Sequence, residues 1–245
     1  MRPLTIRPHE ARHLARHGRC TVIRAVEPQP AYPGIAKFSY ETHPFAPSMF
    51  RGTPAEGLVV ATESKAWVYE DWSGNIVGDV GECPLGPPGS ETWCRETWQM
   101  SGLGFGKPAS FAKLLDRAAF HYRADDDGRW KSYWGGWRPA TQMPIEASRF
   151  PRVVHVGTRL CRLSGISNDE CRDHGIDDWL CKFDGKAYDI AEKAAIRHTK
   201  RFDPSVTCVT LRGVLCAAWN RDNPRHPAES DPWVWVGQIE RMTGE

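Results

Sequence analysis

The sequence predicts an α+β fold, and three observations carry that expectation. Segments with strand-like alternation outnumber the long helical ones, and the helical segments gather toward the two ends of the chain. The 245 residues, 40% hydrophobic and 25% charged, suffice to bury one substantial core. A net charge of +2 excludes a polyelectrolyte character for the whole chain, so charge has to be read locally. Between Met1 and Arg24 there are six arginines (Arg2, Arg7, Arg12, Arg16, Arg19, Arg24) and one acid, Glu10. Eleven tryptophans are unusually many, and a tryptophan is costly on a surface without a purpose.

In chain order, Leu4-Thr5-Ile6 reads as a short strand, followed by a helix with Pro8 in its first turn and Gly18 at its C-terminal cap. His9, His13 and His17 recur at i, i+4 and i+8 on one face of that helix. Two of them with Cys20 would make a nominal zinc set, but no motif supports it and exposed basic residues explain the pattern, so no metal is expected. Arg12, Arg16 and Arg19 form an electropositive helix end. Residues 21–26 run extended until Pro28-Gln29-Pro30 breaks them, and residues 31–82 read as an insertion. Within it, strands are expected at 57–62 and 66–70, the second in a hairpin with 75–77.

Residues 83–99, CPLGPPGSETWCRETWQ, hold the centre. The first seven form a tight loop in which prolines fix φ and glycines supply turns. The rest reads as a strand with Thr92, Cys94, Glu96 and Trp98 on one side and Trp93, Arg95 and Thr97 on the other. Arg95 and Glu96 lie between two tryptophans, and a charge buried there needs a partner or a ligand.

Beyond it, residues 101–107 (SGLGFGK) end in Gly-Lys-Pro and do not make a phosphate-binding Walker loop. A short helix at 110–117 and a strand at 120–123 precede the turn Asp125-Asp126-Asp127-Gly128, which lacks the alternating ligands and distal Glu of a calcium loop. Trp130, Tyr133, Trp134 and Trp137 cluster around Gly135-Gly136, as a small core by default and a base-stacking platform otherwise. Residues 152–158 form a strand. Ser167 and Glu170 form a capping box opening a helix that ends near Gly175. A longer helix covers 185–201, with Lys186, Lys193, Arg197 and Lys200 on a solvated face, and another follows Pro204 with Leu211, Leu215 and Trp219 as its buried stripe. Residues 233–240 close the chain as a strand. The Arg-rich start lacks the apolar segment of a signal peptide and no apolar run reaches membrane length, so the expectation is a cytoplasmic protein with no membrane partner. The eight cysteines contain no CxxC pair and read as small buried hydrophobes.

Four blocks, in order, resemble ASCH-domain proteins, specifically the longer phage and prophage-encoded branch. They are His17-Gly18-Arg19-Cys20-Thr21-Val22-Ile23-Arg24 with Pro28-Gln29-Pro30; residues 83–98; Tyr122-Arg123-Ala124-Asp125 with Trp137-Arg138-Pro139, Met143-Pro144 and Ala147-Ser148-Arg149; and Pro232-Trp233-Val234-Trp235-Val236. The resemblance implies one ASCH-like domain over residues 1–245, a PUA-like β-barrel decorated with helices, with an inserted segment at 31–82 and a helical elaboration at 165–220. Residues 21–26, 93–98, 152–158 and 233–239 would be strands of one barrel. A phage-encoded member would work in the host cytoplasm.

The family places the segment after the first helix beside a cleft where a nucleotide or similar ligand is expected. Some small members hydrolyse N4-acetylcytidine, with a lysine directly after Gly-Arg, a threonine three residues later and a glutamate near the end of a later short helix. Those positions are here Cys20, Ile23 and His174, or Asp173 if the alignment slips by one. Ile23 can neither shuttle a proton nor hold an oxyanion, whereas Cys20 as nucleophile and His174 as base would be a chemically coherent substitute. What the departures leave intact is a binding cleft walled by Arg19, Thr21, Arg24, Arg95 and Glu96, with Trp93 or Trp98 to stack a base. The expected function is therefore a nucleic-acid or nucleotide-binding module for RNA or a modified base, needing no cofactor, with RNA against DNA left open. The alternatives are a hydrolase of the ASCH amidohydrolase or nuclease type built on Cys20 and His174, and a phage accessory protein binding a host protein through the inserted segment.

Overall fold

In the computed structural model, the described residues are 3–27, 29, 37–42, 65–70, 76–79, 83–101, 119–126, 136–180, 185–205 and 208–242. The strands are β1 (Leu4–Thr5), β2 (Arg19–Ala25), β3 (Lys37–Thr42), β4 (Lys65–Glu70), β5 (Ile76–Asp79), β6 (Glu91–Thr92), β7 (Cys94–Arg95), β8 (Trp98–Ser101), β9 (Ala119–Tyr122), β10 (Val153–Arg162) and β11 (Trp233–Arg241). The helices are α1 (Pro8–His17), α2 (Asn168–Asp173), α3 (Asp177–Leu180), α4 (Gly185–Phe202) and α5 (Leu211–Asp222).

The organising element is β11, whose run of Val and Trp suits a strand buried on both faces. It pairs antiparallel with β2 from Val234↔Ala25 to Glu240↔Arg19 and with β10 from Val153↔Arg241 to Arg162↔Trp233. The sheet, in the order β2-β11-β10-β6, is a curled antiparallel half-barrel. Alternation then sorts the side chains. Ile23, Val234 and Val236 face a core shared with α2, α3, α4 and α5, which includes Ile176, Trp179, Leu215 and Trp219. Cys20, Val22 and Ile239 face the opposite core, where α1 contributes Ala11 and Leu14. The α+β class is thus present, with helices packed on a mostly antiparallel sheet.

Local signals set the helix boundaries. α1 has Pro8 at its start and ends at Gly18, whose φ is 73° and whose N–H returns to the Leu14 carbonyl. α2 opens with the expected capping box: Ser167 Oγ accepts from the Glu170 N–H at 3.1 Å, and Glu170 Oε2 from the Ser167 N–H at 2.8 Å. β4 pairs with β5 as the expected hairpin, and β3 adds on its other side.

Residues 93–98 depart from the expected single barrel strand. Thr92 and Glu91 pair with β10, Cys94 and Arg95 pair in parallel with β1, and β8 pairs with β9. β10 begins at Val153, opposite Thr92, and β1 ends at Thr5, opposite Arg95, so the stretch changes partner at Trp93 and again after Glu96. The alternation still shows, since Thr92, Cys94, Glu96 and Trp98 are all buried. His9 also departs from expectation: it is 2% exposed and points into the fold instead of sharing a solvated face with His13 and His17. The expected strand at 57–62, the helix at 110–117, glycines 102–106 and Trp130, Tyr133 and Trp134 lie outside the described residues.

Candidate ligand-binding site

The site is built from the N-terminus of α1 and the edge strand β2. Glu10, in the first turn of α1, reaches back so that Oε2 accepts the Arg7 N–H at 2.6 Å, a position that also suits a carboxylate electrostatically. Arg24 shares the α1-facing side of β2 with Cys20 and Val22. Its guanidinium forks onto Glu10, Nη1 to Oε1 at 2.6 Å and Nη2 to Oε2 at 2.9 Å. The same two nitrogens donate to the carbonyls of Ile23 at 2.8 Å and Thr5 at 2.7 Å. Glu10 is 0% exposed. Burial alone would push its carboxyl up, but the Arg24 guanidinium outweighs burial, and with His174 and Arg7 holds it well below the usual carboxylate range.

His174, at the C-terminal cap of α2, closes the arrangement from the far end of the sequence. Gly175 follows it at φ 72°, and a Cβ there would lie 2.7 Å from the His9 carbonyl oxygen and 2.9 Å from His13 Cβ. Only glycine accepts both the conformation and the contact, and that close approach seats His174 against α1. His174 Nδ1 lies 2.8 Å from the Thr21 carbonyl and 3.4 Å from Glu10 Oε1, and its Nε2 is 3.2 Å from His9 Nε2. A carbonyl can only accept, so Nδ1 carries the proton, Nε2 is the acceptor, and His9 Nε2–H donates to it. Burial pulls His174 down to about 4 against the pull of Glu10, so the ring is neutral at ordinary pH.

Cys20 meets the same carbonyl: its Sγ donates to Thr21 O at 3.2 Å. Cys20 and His174 are therefore brought together, but around a shared acceptor, and among the described residues His174 bonds to Thr21 and His9. Cys20 is 1% exposed, and burial, reinforced by Glu10, pushes its thiol well above the ordinary value. The Thr21 hydroxyl is buried without a hydrogen-bond partner among the described residues. The side chains of Arg24 and His174 cap carbonyls of β2, which among the described residues is the edge strand of its sheet. His9, Glu10 and His174 could each offer a metal one ligand atom within 4.8 Å of the others. Both Glu10 oxygens already accept from Arg24, however, and the two imidazoles are joined by their own hydrogen bond, which makes the set a hydrogen-bonded chain.

Outside this sealed centre lies a cationic rim around Thr5. Arg95 Nε donates to Thr5 Oγ1 at 2.7 Å while Arg24 donates to the Thr5 carbonyl, so the two arginines expected to share a cleft do meet on one residue. Arg95 is half-buried, and its two terminal nitrogens have no hydrogen-bond partner among the described residues. Arg7 Nε lies 3.2 Å from Asp222 at the end of α5, where Arg221 also binds Asp222. Burial, then the nearby charges of Arg24 and Arg221, lower the Arg7 pKa, with Glu10 and Asp222 opposing. Four guanidinium groups thus surround two carboxylates, an excess of two positive charges.

The remaining expected residues are elsewhere. Arg19 is exposed at the start of β2. Glu96 is buried and held by Arg149 through bonds of 2.8 and 3.0 Å, and Arg149 also takes Asp125 and stacks over Tyr122 at 4.6 Å. Trp98 is 1% exposed in a small core with Trp93, Met143 and Ala147, with Arg138 over its ring at 5.4 Å. It offers no free face to a base, which corrects its expected stacking role. The residues that the sequence left unassigned are Thr5, Arg7, His9, Glu10 and Arg149. Glu10 carried a signal as the single acid among six arginines, and His9 one as part of a histidine stripe.

Comparison with protein-family models, curated proteins and solved structures returns no match for this chain.

Proposed function

We propose that this chain is a nucleic-acid or nucleotide-binding module that holds a phosphate group at the cationic rim around Thr5, on a fold of the PUA-like barrel type. One observation carries the reading: Arg95 is anchored through Nε and, among the described residues, keeps its two terminal nitrogens unpartnered, within a cluster whose positive charge exceeds its negative charge. A guanidinium with a fixed stem and a free fork is suited to a phosphate oxygen pair. The resemblance to ASCH domains adds support, because it puts the segment after the first helix beside the ligand cleft. The departures at Cys20, Ile23 and His174 favour binding without turnover, since a sealed, protonated thiol and a neutral imidazole already committed on both nitrogens have no free chemistry.

The test is fluorescence anisotropy with short single- and double-stranded RNA and DNA at two salt concentrations. Arg95→Ala should weaken binding about tenfold and flatten the log–log salt dependence by about one unit. Arg241→Ala, at the far end of β11, should change little. No binding to any of the four probes at low salt overturns the reading and puts a protein partner first.

A further inference from the structure

We infer that Cys83 is a nucleophilic thiol that exchanges with small disulfides, its proton drawn off by His155 through the Thr158 hydroxyl. Three segments converge to build this place, on a different part of the sheet from the rim around Thr5. The loop at 83–89 is tied to β10 by the Gly89 N–H donating to the His155 carbonyl at 2.6 Å and the His155 N–H to the Ser90 carbonyl at 3.0 Å. The half-buried Cys83 sulfur lies 4.0 Å from Thr158 Oγ1, and that hydroxyl is hydrogen-bonded to His155 Nε2. The Gly86 N–H donates to the Cys83 carbonyl at 3.0 Å and closes the turn that carries the sulfur.

The surroundings are fitted to this chain of groups. Gly237 of β11 leaves the room for it, because a Cβ there would run into the Leu85 side chain and press on Thr158 Oγ1. His155 is 0% exposed, yet its Nδ1 has no hydrogen-bond partner among the described residues. Leaving a buried polar atom unsatisfied is unfavourable, so packing alone does not account for an imidazole here. Cys83 packs against the small core of Val26 and Trp235, as do Leu160 and Trp233, and the Arg162 guanidinium sits 4.3 Å above the Trp233 ring. An apolar, aromatic wall with a cation at its rim suits a soft electrophile that carries a negative group.

In the reaction, His155 Nε2 takes the Thr158 proton as Thr158 takes the one on Cys83. The sulfur attacks one sulfur of the disulfide, the S–S bond breaks, and the departing thiolate receives the proton back from His155 by the same route. Cys83–SH and RSSR give Cys83–S–SR and RSH, and no other oxidant is needed. Burial raises the Cys83 thiol above its ordinary value, so the relay has to supply the deprotonation.

The full-length folded chain with 5,5′-dithiobis(2-nitrobenzoate), followed by stopped-flow between pH 5.5 and 8.5, tests this. A fast phase is expected that disappears in Cys83→Ser, places the mixed disulfide on the Cys83 peptide by mass, and exceeds the phase of the exposed Cys208 by about tenfold. Thr158→Val, which keeps the volume and removes the relay, should slow that phase about tenfold and leave the Cys208 phase alone. His155→Gln should do the same. Reaction of Cys83 no faster than Cys208, or a fast phase untouched by Thr158→Val, overturns the inference, and Thr158→Val decides alone if His155→Gln does not fold.

Discussion

At the scale of single residues, Glu10 and Arg24 decide how the site behaves under mutation. Both partners are buried or nearly so, with side-chain exposures of 0% and 18%. Removing one leaves the other charge stranded, so Arg24→Ala should lose about 3–5 kcal/mol in a urea unfolding titration. Replacing the pair together, as Glu10→Leu with Arg24→Met, should recover most of that loss, because the desolvation cost of both ions disappears with them. A double variant as unstable as Arg24→Ala would show that the two side chains do not act as a pair. Arg95 is the arginine whose removal reports on binding, since among the described residues it neutralises no buried acid. Cys20 and Ile23 lead to a further expectation, no turnover of N4-acetylcytidine in a chromatographic assay. Turnover that vanishes in Cys20→Ser would reverse it and restore the nucleophile.

At the scale of elements, the seat of α2 against α1 depends on Gly175. Gly175→Ala forces an L side chain into φ 72° and pushes a methyl toward the His9 carbonyl 2.7 Å away. The expected loss is about 2 kcal/mol, well beyond the ordinary cost of replacing glycine at a compatible position, and an unchanged melting temperature would contradict the close approach. This contact also marks the limit of what the sequence shows. β11, α5 and the capping box of α2 were legible because their signals are local: a run of Val and Trp, an i, i+4, i+8 stripe, and a Ser three residues before a Glu. The stretch at 93–98 was legible in its burial parity but not in its pairing, because parity belongs to the strand itself while pairing depends on which neighbours reach it. The polar chain was illegible for the same reason, since His9 and His174 are 165 residues apart. Arg24 and Arg95 were expected to share a space, and they meet on Thr5, yet nothing local in Thr5 announced it.

At the scale of the whole molecule, the buried polar chain makes stability depend on acid. His174 titrates near 4 in the folded protein against an ordinary 6.5, because burial, with the nearby charges of Arg7 and Arg24, outweighs the opposing pull of Glu10. Between those values the unfolded chain holds a proton that the folded one does not, so stability falls as pH drops from 6.5 toward 4. The loss should reach about 3 kcal/mol by pH 4 from this one ring. His13 and His198 are also lowered by burial and act in the same direction, more weakly because they are less enclosed. Glu10 adds to it from the other kind of group: its depressed carboxyl contributes stability above the ordinary 4.5, and that is lost as the pH falls further. No term in this set opposes the others, so acidification destabilises throughout. Urea midpoints at pH 7, 5.5 and 4.5 should decline steadily. In His174→Asn, whose amide still donates to the Thr21 carbonyl but does not titrate, the decline between pH 6.5 and 4 should shrink by most of the His174 share. A midpoint that stays level from pH 7 to 4.5, or a decline unchanged in His174→Asn, would mean that His174 is not the buried neutral ring joining α1, α2 and β2.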